Sequence, residues 1–390
     1  MLSKRIQVLS PSLTMAITSL ARDLKAQGRD VLSFSAGEPD FDTPQVVKDA
    51  AIAAINSGFS KYTAVGGTPE VLKAIANKLK RENNIEYKPS DIVVSVGAKH
   101  SLFNIFQAII NEGDEVIIPA PYWVTYPEIV KYSGGVPVFI DTDEASGFKI
   151  SPAQLQAAIT PKTKVLLINT PSNPTGAIYS KEELTTLSKV LEGTNILVVS
   201  DEMYEKIIFD GKKFTSVASI SEDMFKRTIT VNGLSKSVSM TGWRFGYLAC
   251  PIQEITDAIV DFQGQSTSNI NSITQKAAVP ALDGLADNYI ETMRVAFEQR
   301  RNMAYEKLNA IKGISVLKPE GAFYLYVNTK AVEKDSMKFS QKLLEEKGVA
   351  VVPGLGFGSD GYFRLSFATD EATILDGIKR ISSFVESYTH

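Results

Sequence analysis

The chain is poor in the residues that build metal centres and covalent frameworks. One cysteine, Cys250, in 390 residues excludes an internal disulfide and any multi-cysteine zinc or iron–sulfur site. Two histidines, His100 and His390, exclude a histidine-rich metal centre. No apolar run approaches the ~20 residues that cross a bilayer, and the longest, around 165–168, are strand-sized. Residues 1–11 carry Lys4 and Arg5 with no apolar stretch behind them, so no secretory signal is expected. An excess of one charge is also missing. The 41 basic and 44 acidic residues leave −3, which offers no cationic field to nucleic acid. These absences point to a soluble cytoplasmic protein without a nucleic-acid, membrane or metal partner. What is present is 44% apolar and 22% charged residues, the balance of an ordinary globular protein, in a length that suits two or three domains.

Short apolar runs alternate with helical patterns through the middle of the chain. Residues 91–96, 115–119, 136–140, 164–169, 195–201 and 228–231 read as strands, and 101–111 reads as a helix. Runs that are apolar on both faces predict a mostly parallel sheet covered by helices on both sides. Residues 1–45 hold one helical stretch and a loop rich in Gly, Pro and Asp. Residues 286–311 read as a long polar helix, followed by a strand–helix–strand–helix pattern. The expected architecture is α/β: a large domain over 46–285, and a smaller α+β domain built from both chain ends, 1–45 and 286–390.

Several polar groups fall at strand ends. Lys236 sits in a small-residue loop, Ser235-Lys236-Ser237, just after the 228–231 strand, where a lysine that captures carbonyls can be held. An amine is nucleophilic only when unprotonated, and burial beside another cation lowers its pKa. Arg244 offers a rigid fork of donors to a phosphate or carboxylate. The stiff polar loop 169–176, with two prolines, lies where open α/β sheets bind ligands. Asp201 ends a further strand and Tyr204 follows three residues later. A carboxylate there pairs with a protonated ring nitrogen and a phenol bonds a ring oxygen; taken alone, Asp201 is as well explained as a helix N-cap. Gly97, Ala98 and Lys99 lie between a strand and a helix, where backbone amides bind anions. The GK[ST] ending of a nucleoside-triphosphate loop is absent. Residues 354–358 read GxGxG rather than GxGxxG and are assigned to a turn, and His100 is assigned to a helix surface.

Together these segments resemble the class I, fold-type I pyridoxal-phosphate aminotransferases, and among them the bacterial-type (subgroup Ib) aspartate aminotransferases. The resemblance spans essentially the whole chain, in the family's order. It rests on Ser35-Ala36-Gly37-Glu38-Pro39-Asp40 with Thr43-Pro44, Lys61-Tyr62-Thr63, Pro121-Tyr122-Trp123-Val124, Asn173-Pro174-Thr175-Gly176, Ser200-Asp201-Glu202-Met203-Tyr204, Ser235-Lys236 with Arg244, and Phe363-Arg364-Leu365-Ser366. It implies that Lys236 carries pyridoxal 5'-phosphate as a Schiff base and shuttles a proton, and that Asp201 keeps the pyridine nitrogen protonated. Asn173 and Tyr204 would hold the phenolic oxygen, and Trp123 would stack on the ring. Gly97, Ala98, Lys99, Ser235 and Arg244 would form the phosphate site. Tyr62 would reach the neighbouring subunit's phosphate, making a homodimer with shared sites. Arg364 would clamp the substrate α-carboxylate beside Gly37, Trp123 and Asn173, with Lys99, Ser12 and Thr14 reading the distal carboxylate. The reaction implied is ping-pong transfer between aspartate or glutamate and oxaloacetate or 2-oxoglutarate. Relatives that use prephenate tend to carry lysine where this chain has Ser10. The rival readings are an aminotransferase for prephenate, aromatic residues or alanine, a pyridoxal-phosphate lyase, and a non-catalytic pyridoxal-phosphate sensor. A nicotinamide dehydrogenase would need the missing GxGxxG.

Overall fold

The structure, a computed structural model, describes residues 1–10 and 13–388, apart from the side chains of residues 13–16 and 18. A two-residue strand, β1 (Leu32–Ser33), precedes β2 (Ile92–Val96), β3 (Glu115–Ala120), β4 (Val136–Asp141), β5 (Thr163–Asn169), β6 (Leu197–Asp201), β7 (Thr228–Gly233) and β8 (Phe245–Ala249). Strands β2 to β8 form one seven-stranded sheet in the order β2-β8-β7-β6-β5-β3-β4. All run parallel except β8, which is antiparallel to both its neighbours. Side chains alternate across a strand, so each apolar run feeds two cores. Val116, Ile118, Val165 and Leu167 pack with Leu102 and Phe106 on one face, while Ile117, Leu166 and Ile168 pack with Leu184 and Leu187 on the other. That double burial is why these strands read as continuous apolar runs.

The C-terminal part begins with the 23-residue helix Asp287–Asn309. Strands β9 (Ser315–Val316), β10 (Tyr324–Asn328), β11 (Val349–Ala350), β12 (Val352–Pro353) and β13 (Tyr362–Ser366) follow, with helix Ser336–Lys347 between β10 and β11. Four of them make an antiparallel sheet, β12-β13-β10-β9. β1 pairs in parallel with β11, and Ile17, Ala21 and Val31 pack on Leu344 and Ala350, so the two chain ends share one core. The N-terminal region holds two helices rather than one, Lys4–Gln7 and Leu13–Ala26. Among the described residues no helix is long and apolar enough to cross a membrane.

β8 is a strand that the sequence reading did not include. Its glycine is the reason. A Cβ on Gly246 would lie 2.1 Å from the Ala98 amide nitrogen, so the strand carries a loop-like residue because another backbone passes over it. Register then decides function. Val96 faces Phe245 and Gly233 faces Gly246, so the antiparallel strand delivers Arg244 to the edge where β2, β5, β6 and β7 end.

A second close approach fixes the two parts of the chain against each other. Gly176 has φ +69°, and a Cβ there would meet Gly321 O and Pro319 Cβ at 2.5 Å. Its carbonyl accepts the amides of Glu320 and Gly321. Gly176→Ala should therefore lower the free energy of unfolding by at least about 1–2 kcal/mol from the left-handed backbone alone, with the clash adding to it. Urea unfolding checks this, and an unchanged midpoint would contradict the docking.

Candidate active site

At that sheet edge, facing the four-stranded sheet, is a cavity of about 540 Å3. Gly37, Ala98, Lys99, Trp123, Asn173, Asp201, Tyr204, Ser235, Lys236, Arg244 and Arg364 all line it. Gly97 lies behind Arg244. Tyr62 does not line the cavity, and its side chain is 90% exposed. Ser12 and the side chain of Thr14 lie outside the described residues.

Lys236 follows the end of β7 and is half-buried on the cavity wall, its Nζ donating to the Gly37 carbonyl. Burial lowers its pKa to about 8; Arg364 and Arg244 push the same way, and Glu38 and Asp201 oppose them. The amine is thus readied as a nucleophile by its surroundings.

Asp201 ends β6 and is buried. Its Oδ2 accepts the Tyr126 hydroxyl at 2.8 Å and its Oδ1 accepts the Met203 amide at 3.2 Å. Burial raises its pKa, against those two hydrogen bonds and the Lys236 charge. No helix starts there: residues 203–206 form turns, so the N-cap explanation fails. Tyr204, from the same turn, has its hydroxyl 2.9 Å from that of Tyr324. Burial drives its phenol well above the ordinary range. Asn169 braces this wall, donating to the Asp201 carbonyl at 3.0 Å and accepting the Asn173 amide at 2.8 Å.

Arg364 stands in the middle of β13, buried. It donates to Asn173 Oδ1 at 2.8 Å and to the Ser35 carbonyl at 3.0 Å. Its guanidinium lies 4.2 Å from the Tyr324 ring centre and 5.2 Å from that of Phe357. Its buried Nε has no hydrogen-bond partner among the described residues. A buried unpaired guanidinium N–H is costly and marks a place for an acceptor.

The opposite end gathers groups able to hold an anion. Helix Ala98–Ile109 starts three residues earlier than the sequence pattern indicated, because Gly97, at φ +80°, caps it. Arg244, itself at φ +59°, donates to the Thr241 carbonyl at 2.8 Å and lays its guanidinium against the helix start. A Cβ on Gly97 would be 2.5 Å from Arg244 Nη2, so only glycine leaves room for that fork beside the free helix amides. Lys99 Nζ projects 4.9 Å from the Trp123 ring centre. Partial burial and then Arg244 lower its pKa. His100 is not a plain surface residue: its Nδ1 accepts the Val96 amide at 3.2 Å and steadies the same turn. The 354–358 turn is a short 3-10 helix, Gly354–Phe357, that puts Phe357 beside Arg364.

Sequence reasoning missed Tyr126, Asn169 and Tyr324. Tyr126 stands three residues after Trp123, one helical turn on, and was open to a periodicity argument. Tyr324 was not, since its position depends on how β10 pairs with β13.

The depressed Lys236 pKa is directly measurable. In the cofactor-free protein, competitive acetylation read by mass spectrometry should give Lys236 a reactivity midpoint near pH 8, far below surface lysines. Arg364→Met should move that midpoint upward, because a neighbouring cation is gone. A midpoint like that of surface lysines would contradict the description.

Residues 29–381 match the family described as Aminotransferase class I and II. The aspartate aminotransferase of Bacillus subtilis is 51% identical over 393 residues, covering 100% of each chain. A probable aspartate/prephenate aminotransferase of Aquifex aeolicus is 46% identical, covering 99% of this chain and 98% of its own. The crystal structure of the Rhizobium meliloti aspartate aminotransferase superposes with a TM-score of 0.97 at 41% identity, covering 100% of both chains. That of Thermus thermophilus aspartate aminotransferase with maleate gives 0.94 at 41% identity, covering 98% of this chain and 99% of the other. With a matching profile, full-length relatives and a shared fold, the chain belongs to the class I and II aminotransferases.

Proposed function

We propose that the protein is a cytoplasmic aspartate aminotransferase that uses pyridoxal 5'-phosphate to move an amino group between aspartate or glutamate and oxaloacetate or 2-oxoglutarate. The observation that carries this reading is an amine of lowered pKa, Lys236, between two guanidinium groups in one cavity. The donor set suits the cofactor. Arg244 and the helix amides beside Gly97 form a cradle for a phosphate that a Cβ would fill, and Arg364 Nε has no acceptor among the described residues. When bound, the cofactor supplies an aldehyde for an amine and a ring that accepts electrons from the substrate's α carbon.

The chain's own residues do the rest. Arg244, Ser235 and the amides of the Gly97–Lys99 turn hold the phosphate, and Trp123 flanks the ring. Asp201, oriented by Tyr126, would meet the ring nitrogen and favour its protonated form. Tyr204 and Asn173 hold the phenolic oxygen. Lys236 would anchor the cofactor, and its amine, neutral when deprotonated, would carry the proton exchanged at the substrate's α carbon. Arg364 receives the α-carboxylate beside Gly37 and Asn173. Lys99 at the mouth, aided by Ser12 and Thr14, meets the distal carboxylate.

The reading extends to assembly. Residues 1–45 and 286–390 form the smaller domain over the sheet of residues 46–285, and two copies pair. The exposed Tyr62 ring and a further cavity of about 760 Å3 between Thr43, Trp243, Arg244 and Asn271 support a homodimer in which each copy lends Tyr62 to its partner's site.

Half-transamination tests substrate choice. Aspartate and glutamate should convert the bound cofactor to its amine form much faster than alanine or phenylalanine, with prephenate tried as acceptor in the return half. Exposed ion pairs give about 0.2–1 kcal/mol and desolvated charged hydrogen bonds about 1.5–3 kcal/mol. Lys99 is exposed here and would be covered by substrate, so Lys99→Ala should cost about 1.4 kcal/mol, roughly tenfold in kcat/KM, for aspartate. Phenylalanine should lose little. Equal losses for both substrates would assign Lys99 to scaffold.

A further inference from the structure

Tyr324 opens β10 and is fully buried. Two parts of the site converge on this one side chain. The Arg364 guanidinium rests on its ring face, 4.2 Å from the centre. Its hydroxyl lies 2.9 Å from the Tyr204 hydroxyl. The backbone closes over the same spot, since a Cβ on Gly37 would come within 3.2 Å of the Tyr324 oxygen, and the Gly37 carbonyl accepts Lys236 Nζ.

Between two phenols either oxygen can donate, but only one proton lies between them. If Tyr204 gives its proton to an oxygen in the cavity, its own oxygen is left to accept, and the Tyr324 hydroxyl is the donor within reach. A phenol that accepts one hydrogen bond donates a stronger one, because chained bonds polarise each other in a dry site. The facing ring meanwhile holds a guanidinium by a cation–π contact. We propose that Tyr324 is a positioning residue: its hydroxyl directs and strengthens the proton that Tyr204 donates to the cofactor's phenolic oxygen, and its ring seats Arg364 for the substrate carboxylate. The inference rests on the reading of the cavity as a pyridoxal-phosphate site.

Two replacements separate the two roles. Tyr324→Phe removes the hydroxyl and keeps the ring, while Tyr324→Leu removes both. The readout is the pH midpoint of the absorbance change of the bound cofactor, with Tyr204→Phe as reference. A donor to the phenolic oxygen stabilises its deprotonated form, so weakening that donor raises the midpoint. Tyr324→Phe should raise it by roughly 0.1–0.7 pH unit, less than Tyr204→Phe does, if the lost polarisation is 10–30% of a charged hydrogen bond. Its KM for aspartate should stay within about twofold. Tyr324→Leu should show the same rise and also a KM about 2- to 30-fold higher, the loss of a cation–π contact. In the Tyr204→Phe background, Tyr324→Phe should add no further rise, because its effect passes through Tyr204. An unmoved midpoint in Tyr324→Phe, or a further rise in the double variant, overturns the proposal. A wild-type protein that binds no pyridoxal phosphate overturns the functional reading itself. A normal wild-type titration with an unmoved Tyr324→Phe midpoint removes only the role of Tyr324.

Discussion

Four cationic side chains, Lys99, Lys236, Arg244 and Arg364, face one cavity against two carboxylates, Glu38 and Asp201. Like charges gathered in a partly dry space repel one another, and two things relieve them. A lysine gives up its proton, or anions enter. Lys236 is lowered to about 8 by burial and by the two arginines, so the chain itself eases the loss of that proton. The second suits the proposed ligands, since a phosphate at one end and a carboxylate at the other would restore balance. On the proposed reading, the same imbalance favours the neutral amine and suits the anions it would meet. It is assembled from four places: the start of helix Ala98–Ile109, the turn after β7, the residue before β8 and the middle of β13.

Holding such a cluster needs stiff supports behind it. Lys78 pairs with Glu205 under the turn that carries Tyr204, where Asn83 donates to Glu205 at 2.6 Å and Asn232 at 2.8 Å. Asn232 lies in β7, four residues before Lys236. A buried ion pair gains little net stability, because desolvation offsets attraction; its value here is that it ties the helix Pro69–Asn83 to the turn after β6 in one geometry, while Asn232 ties β7 to the same carboxylate. Glu202, beside Asp201, is pushed up to about 7 by burial and by Glu205, while Ser200, Ser216 and the Val217 amide bond one of its oxygens. On the other side, the fully buried Arg301 binds Asp210 through two nitrogens at 2.8 Å and the Pro319 carbonyl at 2.8 Å. Together with Gly176, it fixes the hairpin before β10 against the large sheet, and so fixes Tyr324 and Arg364 against Asp201.

The sequence revealed the parallel strands because burial on both faces writes a continuous apolar run. It pointed to Lys236, Asp201 and Arg244, which the fold brings into one cavity, because their chemistry lies in the residue type and their place at strand ends. It did not reveal β8, whose Gly246 is dictated by the backbone of Ala98, nor the β1–β11 pair, whose two-residue strands are too short for any period. Tyr126 and Tyr324 stayed hidden for a related reason. Each is hydrogen-bonded to a partner more than seventy positions away, so only the fold brings the pair together. The groups that carry charge were legible, and the phenols that aim them were not.

The central claim is that Lys236 is the amine this cavity readies. Loading the protein with pyridoxal 5'-phosphate, reducing it with borohydride and mapping the labelled peptide tests it most directly. The account predicts one label per chain, on Lys236, with Lys99 unmodified although it is more exposed. A label on Lys99 or on scattered surface lysines, or no stable label at all, would contradict it.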